Sequence, residues 1–237
     1  MITELLKQTL PSYELKLPIS KKLVRFRPMT VKEEKILLIA QKSNSSKEKA
    51  LAIEQVLSNC FEDIGPVKNM HIADVEKAFL AVRSKSIGED VTFSLICPHT
   101  KETINIKMNL EEFDLHENKN QKSTIKLSDD MVLSLRFPSF SYLIDKTASD
   151  DEMKSIFTNC FVELQTPQNV FVKNEITDDE LSSFYDLMTS KQLEEFKKFV
   201  TSIPRMKKTV TYTTKDGVQR QVSFTGIESF FAYASAT

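Results

Sequence analysis

The sequence predicts an α+β protein made of two similar halves, each a β-hairpin, two to three helices and a second β-hairpin. Three observations carry that prediction. Short runs alternate apolar and polar residues between turn residues, as half-buried strands do. Longer runs space their apolar residues at three and four and open on capping residues, as amphipathic helices do. The landmarks of the first half then return in the second.

The first hairpin pairs Tyr13-Glu14-Leu15-Lys16-Leu17 with Leu23-Val24-Arg25-Phe26-Arg27 around a turn at residues 18–22. Thr30 and Glu33 form a Ser/Thr-x-x-Glu capping box ahead of the apolar run Ile36 to Ala40, so a helix starts there. A stronger helix carries Ile53, Val56, Leu57, Cys60, Phe61 and Ile64 on one face and stops at Gly65-Pro66. Ile72, Val75, Phe79 and Val82 mark a third helix. Residues 91–97 and 102–108 alternate as a second hairpin around Pro98-His99-Thr100-Lys101.

Residues 116–123 are polar and form the best linker candidate. Beyond them Lys126-Leu127 and residues 131–137, ending at Pro138, echo Lys16-Leu17 and residues 23–27, ending at Pro28. Ser149 to Glu152 reads as another capping box. The helix behind it carries Met153, Ile156, Phe157, Cys160, Phe161 and Leu164, which repeat the face Ile53 to Ile64 position by position, and Asn-Cys-Phe is identical at 59–61 and 159–161. Thr177 to Glu180 caps a short helix with Leu181, Phe184, Leu187 and Met188. A further helix carries Leu193, Phe196, Phe199, Val200 and Ile203, and a final hairpin joins residues 209–213 to 218–224 through Lys215-Asp216-Gly217. The pattern is that of a degenerate internal duplication, about 11–115 and 122–237, giving domains at 1–120 and 121–237.

Composition narrows the function. The chain has 237 residues, enough for one large or two small domains with a real core. Its four glycines, Gly65, Gly88, Gly217 and Gly226, stand far apart, so a phosphate-binding loop, a dinucleotide fingerprint and a nucleophile elbow are all missing. Lys and Arg number 32 against 33 Asp and Glu. A nucleic-acid binder normally shows a basic excess, so nucleic acid is not expected as a partner. No apolar run is long enough to span a membrane and the first residues do not resemble a secretion signal. Three widely spaced cysteines, Cys60, Cys97 and Cys160, fit a reducing compartment with free thiols.

Few constellations suggest chemistry. Cys97-Pro98-His99 at a hairpin tip is a metal fragment with no second knuckle, whereas a zinc site needs four ligands, so no metal or other cofactor is expected. Cys60 and Cys160 sit on apolar stripes and are read as core residues. His71, just ahead of a helix, is read as a cap or an exposed residue, and the paired carboxylates lie at turns or helix starts. No catalytic residue is expected. The segment 226–234 places Phe230, Phe231 and Tyr233 within four positions and reads as a short helix that docks either onto its own domain or onto a partner; these three rings are the candidate partner-binding residues.

The run from Leu15-Lys16-Leu17-Pro18 through Phe26-Arg27-Pro28-Met29-Thr30-Val31-Lys32-Glu33-Glu34-Lys35, the helix ending Cys60-Phe61, Ala81 to Glu89 and the strand into Cys97-Pro98 resemble the T4-type bacteriophage baseplate protein family. The resemblance covers mainly residues 13–115. Some relatives carry C-x-x-C where this chain has Cys97-Pro98-His99-Thr100, a departure that argues against a metal here. The resemblance implies a non-enzymatic protein of the baseplate hub in a contractile tail, either a structural subunit or an assembly factor. Other hub or tail proteins would be its partners, with no small-molecule substrate and no membrane. Its place would be the virion baseplate, and the host cytoplasm during assembly. The alternatives are a cell-wall-degrading enzyme associated with the hub, which would need two carboxylates facing across a cleft, and a nucleic-acid-contacting tail adaptor.

Overall fold

Short antiparallel strands and amphipathic helices alternate along the chain in the computed structural model, which describes residues 9–118, 122–145 and 151–227. The chain divides into two compact units. The first comprises residues 1–116 and 205–237, the second residues 117–204.

In the first unit β1 (Tyr13–Lys16) and β2 (Leu23–Phe26) form the first hairpin, in register Leu15 to Val24. Helix α1 (Val31–Lys42) follows, and its capping box is made as the sequence foretells: Thr30 and Glu33 satisfy each other's backbone donors. Helix α2 (Ser46–Cys60) buries Ile53, Val56, Leu57 and Cys60. It ends one turn earlier than its apolar spacing suggests. Phe61 is extended and bridges to Phe26, the two rings stacking at 5.2 Å. Helix α3 (Ile72–Ile87) is buried along most of its length, with Val75, Ala78 and Val82 fully enclosed. The hairpin β3 (Asp90–Ile96) and β4 (Thr103–Asn109) turns Phe93, Leu95, Ile106 and Met108 inward.

β5 (Asp114–His116) closes this part of the chain. Its partner comes from far along the sequence: β10 (Arg205–Thr213) pairs with it, Met206 opposite Leu115, and β11 (Gln219–Thr225) adds the third strand. Phe224 of β11 stacks on Phe93 of β3 at 5.3 Å. The last hairpin therefore groups with the first unit, and the compact units are not two contiguous stretches meeting at residue 120.

The second unit holds a four-stranded sheet in the order β6 (Thr124–Lys126), β7 (Val132–Leu135), β8 (Phe161–Gln165), β9 (Val170–Val172). Helices α4 (Ser141–Asp145), α5 (Glu152–Cys160), α6 (Asp178–Asp186) and α7 (Ser190–Thr201) complete it. Asp151 caps α5, accepting from Met153 N–H at 2.9 Å; the expected cap Ser149 lies outside the described residues. Phe161 and Leu164, read as the continuation of that helix, instead open β8. The core gathers Leu133, Leu135, Phe157, Phe161, Leu181, Phe196 and Phe199. Phe157 is its centre, with the rings of Phe161, Phe184, Tyr185 and Phe196 all within about 6 Å.

One arrangement occurs in both units. The backbone N–H of Arg27 donates to Cys60 O at 2.9 Å, and that of Arg136 donates to Cys160 O at 2.8 Å. Each arginine also reaches the carbonyl of the asparagine before the cysteine, Arg27 to Asn59 at 3.0 Å and Arg136 to Asn159 at 3.5 Å. In each case the second strand of a hairpin pairs with the residue that follows a helix, Phe26 with Phe61 and Leu135 with Phe161.

Candidate functional site

The chemistry-bearing side chains of the first unit fall at three places. At the first, a cleft of about 550 Å³ is lined by Leu10, Arg27, Thr30, Glu33, Asn59 and Cys60 among others. Strand β2 delivers Arg27 and the first turn of α1 delivers Glu33, so the guanidinium and carboxylate meet at 3.2 Å. Arg27 also donates to the carbonyls of Pro28 and Asn59. Glu33 is 2% exposed and accepts from the backbone and hydroxyl of Thr30. Burial alone would raise its pKa, but the hydrogen bonds from Arg27 and Thr30 outweigh that and hold the carboxyl at about 2. Burial pushes the Cys60 thiol up to about 11, which keeps it protonated at neutral pH. Cys160, in the second unit, is pushed up to about 12 by the same cause.

The second place is the N-terminal half of α3. Asp74, 2% exposed, accepts the N–H groups of Ile19 and Ser20 at 2.7 and 3.0 Å and so ties the β1–β2 turn to the helix. Glu76, 1% exposed, accepts Arg205 Nε at 2.6 Å and Met206 N–H at 2.7 Å, which ties β10 to the same helix. Gly226 lies against this pair at a φ of 73°, where a Cβ would collide with the Arg205 guanidinium. His71 caps α3 through Nδ1, accepting from Ala73 N–H at 3.0 Å, and burial pushes its pKa down to about 4. These buried carboxylates take backbone, hydroxyl and guanidinium donors.

The third place is where two hairpin tips meet. Cys97 leads the β3–β4 turn, its N–H donating to Glu102 O and its carbonyl accepting from Lys101 N–H, each at 2.9 Å. Thr214 leads the β10–β11 turn in the same way, donating to Val218 O at 3.2 Å and accepting from Gly217 N–H at 2.9 Å. The tips are joined by Tyr212 Oη donating to Cys97 Sγ at 3.7 Å and by Lys215 N–H donating to Glu102 Oε1 at 2.9 Å. Hydrogen bonds from Thr100, supported by His99 and Tyr212, lower the Cys97 thiol to about 7. On the opposite tip Thr214 takes a guanidinium N–H of Arg220 and donates to Asp216, which Arg220 also grips at 2.8 Å. Where a metal knuckle would put a second pair of sulfurs, this chain has Thr214 and the Asp216–Arg220 pair. Among the described residues no group of three or more His, Cys, Asp or Glu is placed to hold a metal ion.

The sequence reading placed Cys97-Pro98-His99 at a hairpin tip and His71 at a cap, and both stand there. It missed that the two tips face each other, and it saw Glu33 only as a cap. It did not single out Asp74, Glu76 or Arg205, which are brought together by a turn and a strand distant from α3 in sequence. Phe230, Phe231 and Tyr233 lie outside the described residues, the last of which is Ile227, 4% exposed. No described helix is long and apolar enough to cross a membrane.

No curated protein and no solved structure matches this chain. The family model described as T4 bacteriophage base plate protein matches residues 10–232, far beyond the first-half motifs on which the resemblance rested. With nearly all of the described fold inside that match, the chain belongs to the T4 bacteriophage base plate protein family.

Proposed function

We propose that this structural baseplate protein works at the hub of a contractile tail, as a subunit or an assembly factor, solely through contacts with other hub or tail proteins. Family membership over residues 10–232 is the observation that carries the reading. The use of Glu33, Asp74 and Glu76 as internal ties supports it, since the deeply buried acids of the first unit are committed to holding strands and helices together. Quantitative mass spectrometry of purified particles and of tail-assembly intermediates separates the two roles. A fixed stoichiometry in mature particles identifies a subunit, and presence in intermediates alone identifies an assembly factor working in the host cytoplasm. Clearing of peptidoglycan by the pure protein would overturn the non-enzymatic reading.

Phe230, Phe231 and Tyr233 are proposed as partner contacts. The truncation that tests this ends after Ile227, because Ile227 itself is buried. We expect the shortened protein to keep its circular-dichroism spectrum and to lose co-purification with its hub partner. Unchanged co-purification would remove these residues from the interface.

A duplication of the hairpin–helix portion is also proposed. Its support is the pair of matching ties, Arg27 to Cys60 and Arg136 to Cys160, each set beside a shared Asn-Cys-Phe. The proposal is limited to that portion, because the terminal hairpin pairs with β5 of the first unit.

A further inference from the structure

Helix α1 turns Ile36, Leu37 and Ala40 away from solvent together with Glu33, and carries further aliphatic residues on the side that faces water. Its exposed residues are Val31, Lys32, Lys35, Leu38, Ile39 and Lys42. At 3.6 residues per turn all six fall within one arc of about 120°. Within that arc Val31 is 65%, Leu38 57% and Ile39 73% exposed. A single exposed aliphatic residue means little, but three on one arc of one helix form a patch of the kind that marks an interaction site.

The charges on the arc have one sign. All three are lysines, and none of their ammonium groups has an ion-pair or hydrogen-bond partner among the described residues. The acids of the helix are elsewhere: Glu33 is buried on Arg27 and Thr30, and Glu34 is half-buried beside Arg83. Going round the arc, Lys42 and Lys35 stand between Val31 and Ile39. A helix that lies in a bilayer surface needs an unbroken apolar face with its lysines on the other side. Here lysine and aliphatic side chains are interspersed, which suits a protein surface whose carboxylates can be placed opposite each ammonium.

We propose that the exposed face of α1 is a docking surface for an acidic amphipathic helix of another protein. The twelve residues of α1 span about three turns, and the occupant is a segment of comparable length. Its aliphatic residues pack against Val31, Leu38 and Ile39, and its Asp or Glu residues lie opposite Lys32, Lys35 and Lys42. The inference rests on the reading that the chain acts through protein contacts.

A photo-cross-linking residue placed at Leu38 of the full chain, in cells assembling particles, tests it. The expected product is a cross-linked peptide from a different protein, helix-forming and with more acidic than basic residues. Its yield should fall on the order of tenfold in the double variant Lys35→Glu/Lys42→Glu, with an unchanged circular-dichroism spectrum, and stay constant in Lys68→Glu, an exposed lysine elsewhere in the unit. Cross-links to lipid, to a second copy of this chain or to a basic segment would overturn the proposal. So would a yield indifferent to the charge reversals, or no product at all. An acidic helix from a tail protein outside the hub would uphold the docking surface while removing the hub assignment.

Discussion

Glu33 shows how much one side chain can be asked to do. It caps α1 and neutralises Arg27, and the hydrogen bonds it accepts from Arg27 and Thr30 favour its ionised form in the folded protein although it is shut away from water. In an unfolded chain the same carboxyl titrates near 4.3, and in the folded one at about 2. A group with a depressed folded pKa stabilises fully above its unfolded value and loses that contribution as the pH falls through the folded value. The stabilisation is therefore present at neutral pH and is lost between roughly pH 4 and pH 2. We expect Glu33→Gln to destabilise the first unit by about 3 kcal/mol at pH 7, since it leaves Arg27 partly buried without its charge partner. The penalty should shrink on acidification, and urea unfolding at pH 7 and pH 3 would show it. Equal penalties at the two pH values would mean that the carboxylate charge is not what matters. The Thr30–Glu33 spacing made the cap legible; the ion pair was not, because it needs β2 folded back against the end of α2.

Elements were read well where a single period extended between clear stops, and poorly where two periods agree. Positions 60, 61 and 64, like 160, 161 and 164, fit a helical face, yet a strand beginning at 161 also turns Phe161 inward. The decision is tertiary: β2 and β7 present the N–H groups of Arg27 and Arg136 to the carbonyls of Cys60 and Cys160, and the chain leaves each helix there in an extended direction. That is why β8 and β9 went unseen while the helix faces before them were correct. Phe157, on the legible part of α5, meets four aromatic rings. Replacing it with Ala should cost about 3–5 kcal/mol, seen as faster hydrogen exchange across β7, β8 and α7. Protection unchanged in those elements would show that the aromatic cluster is not the centre of the unit.

At the scale of the molecule the last hairpin groups with residues 1–116, whereas the sequence reading assigned it to a second half at 121–237. Periodicity fixes which residues of β10 and β11 turn inward; it says nothing about which core receives them. Met206 opposite Leu115, Phe224 on Phe93 and Arg205 on Glu76 settle the destination. Residues 117–204, contiguous in sequence and compact in space, should fold as an isolated fragment with a cooperative thermal transition. Residues 1–120 alone should not, because they lack two strands of a three-stranded sheet and leave Glu76 without Arg205. A cooperative transition in the shorter N-terminal fragment, or none in 117–204, would contradict this division.

The nested order of the units also sets a timetable on the ribosome. Residues 117–204 leave the exit tunnel before β10 does, so the second unit can be complete while the first still waits for its closing strands. During that interval Phe93 lacks its stacking partner and Glu76 its cation. A chain cut short within residues 117–204 would carry an open first unit with that surface displayed to quality-control proteases. Arrival of Arg205 thus reports that translation has passed through the whole of the second unit.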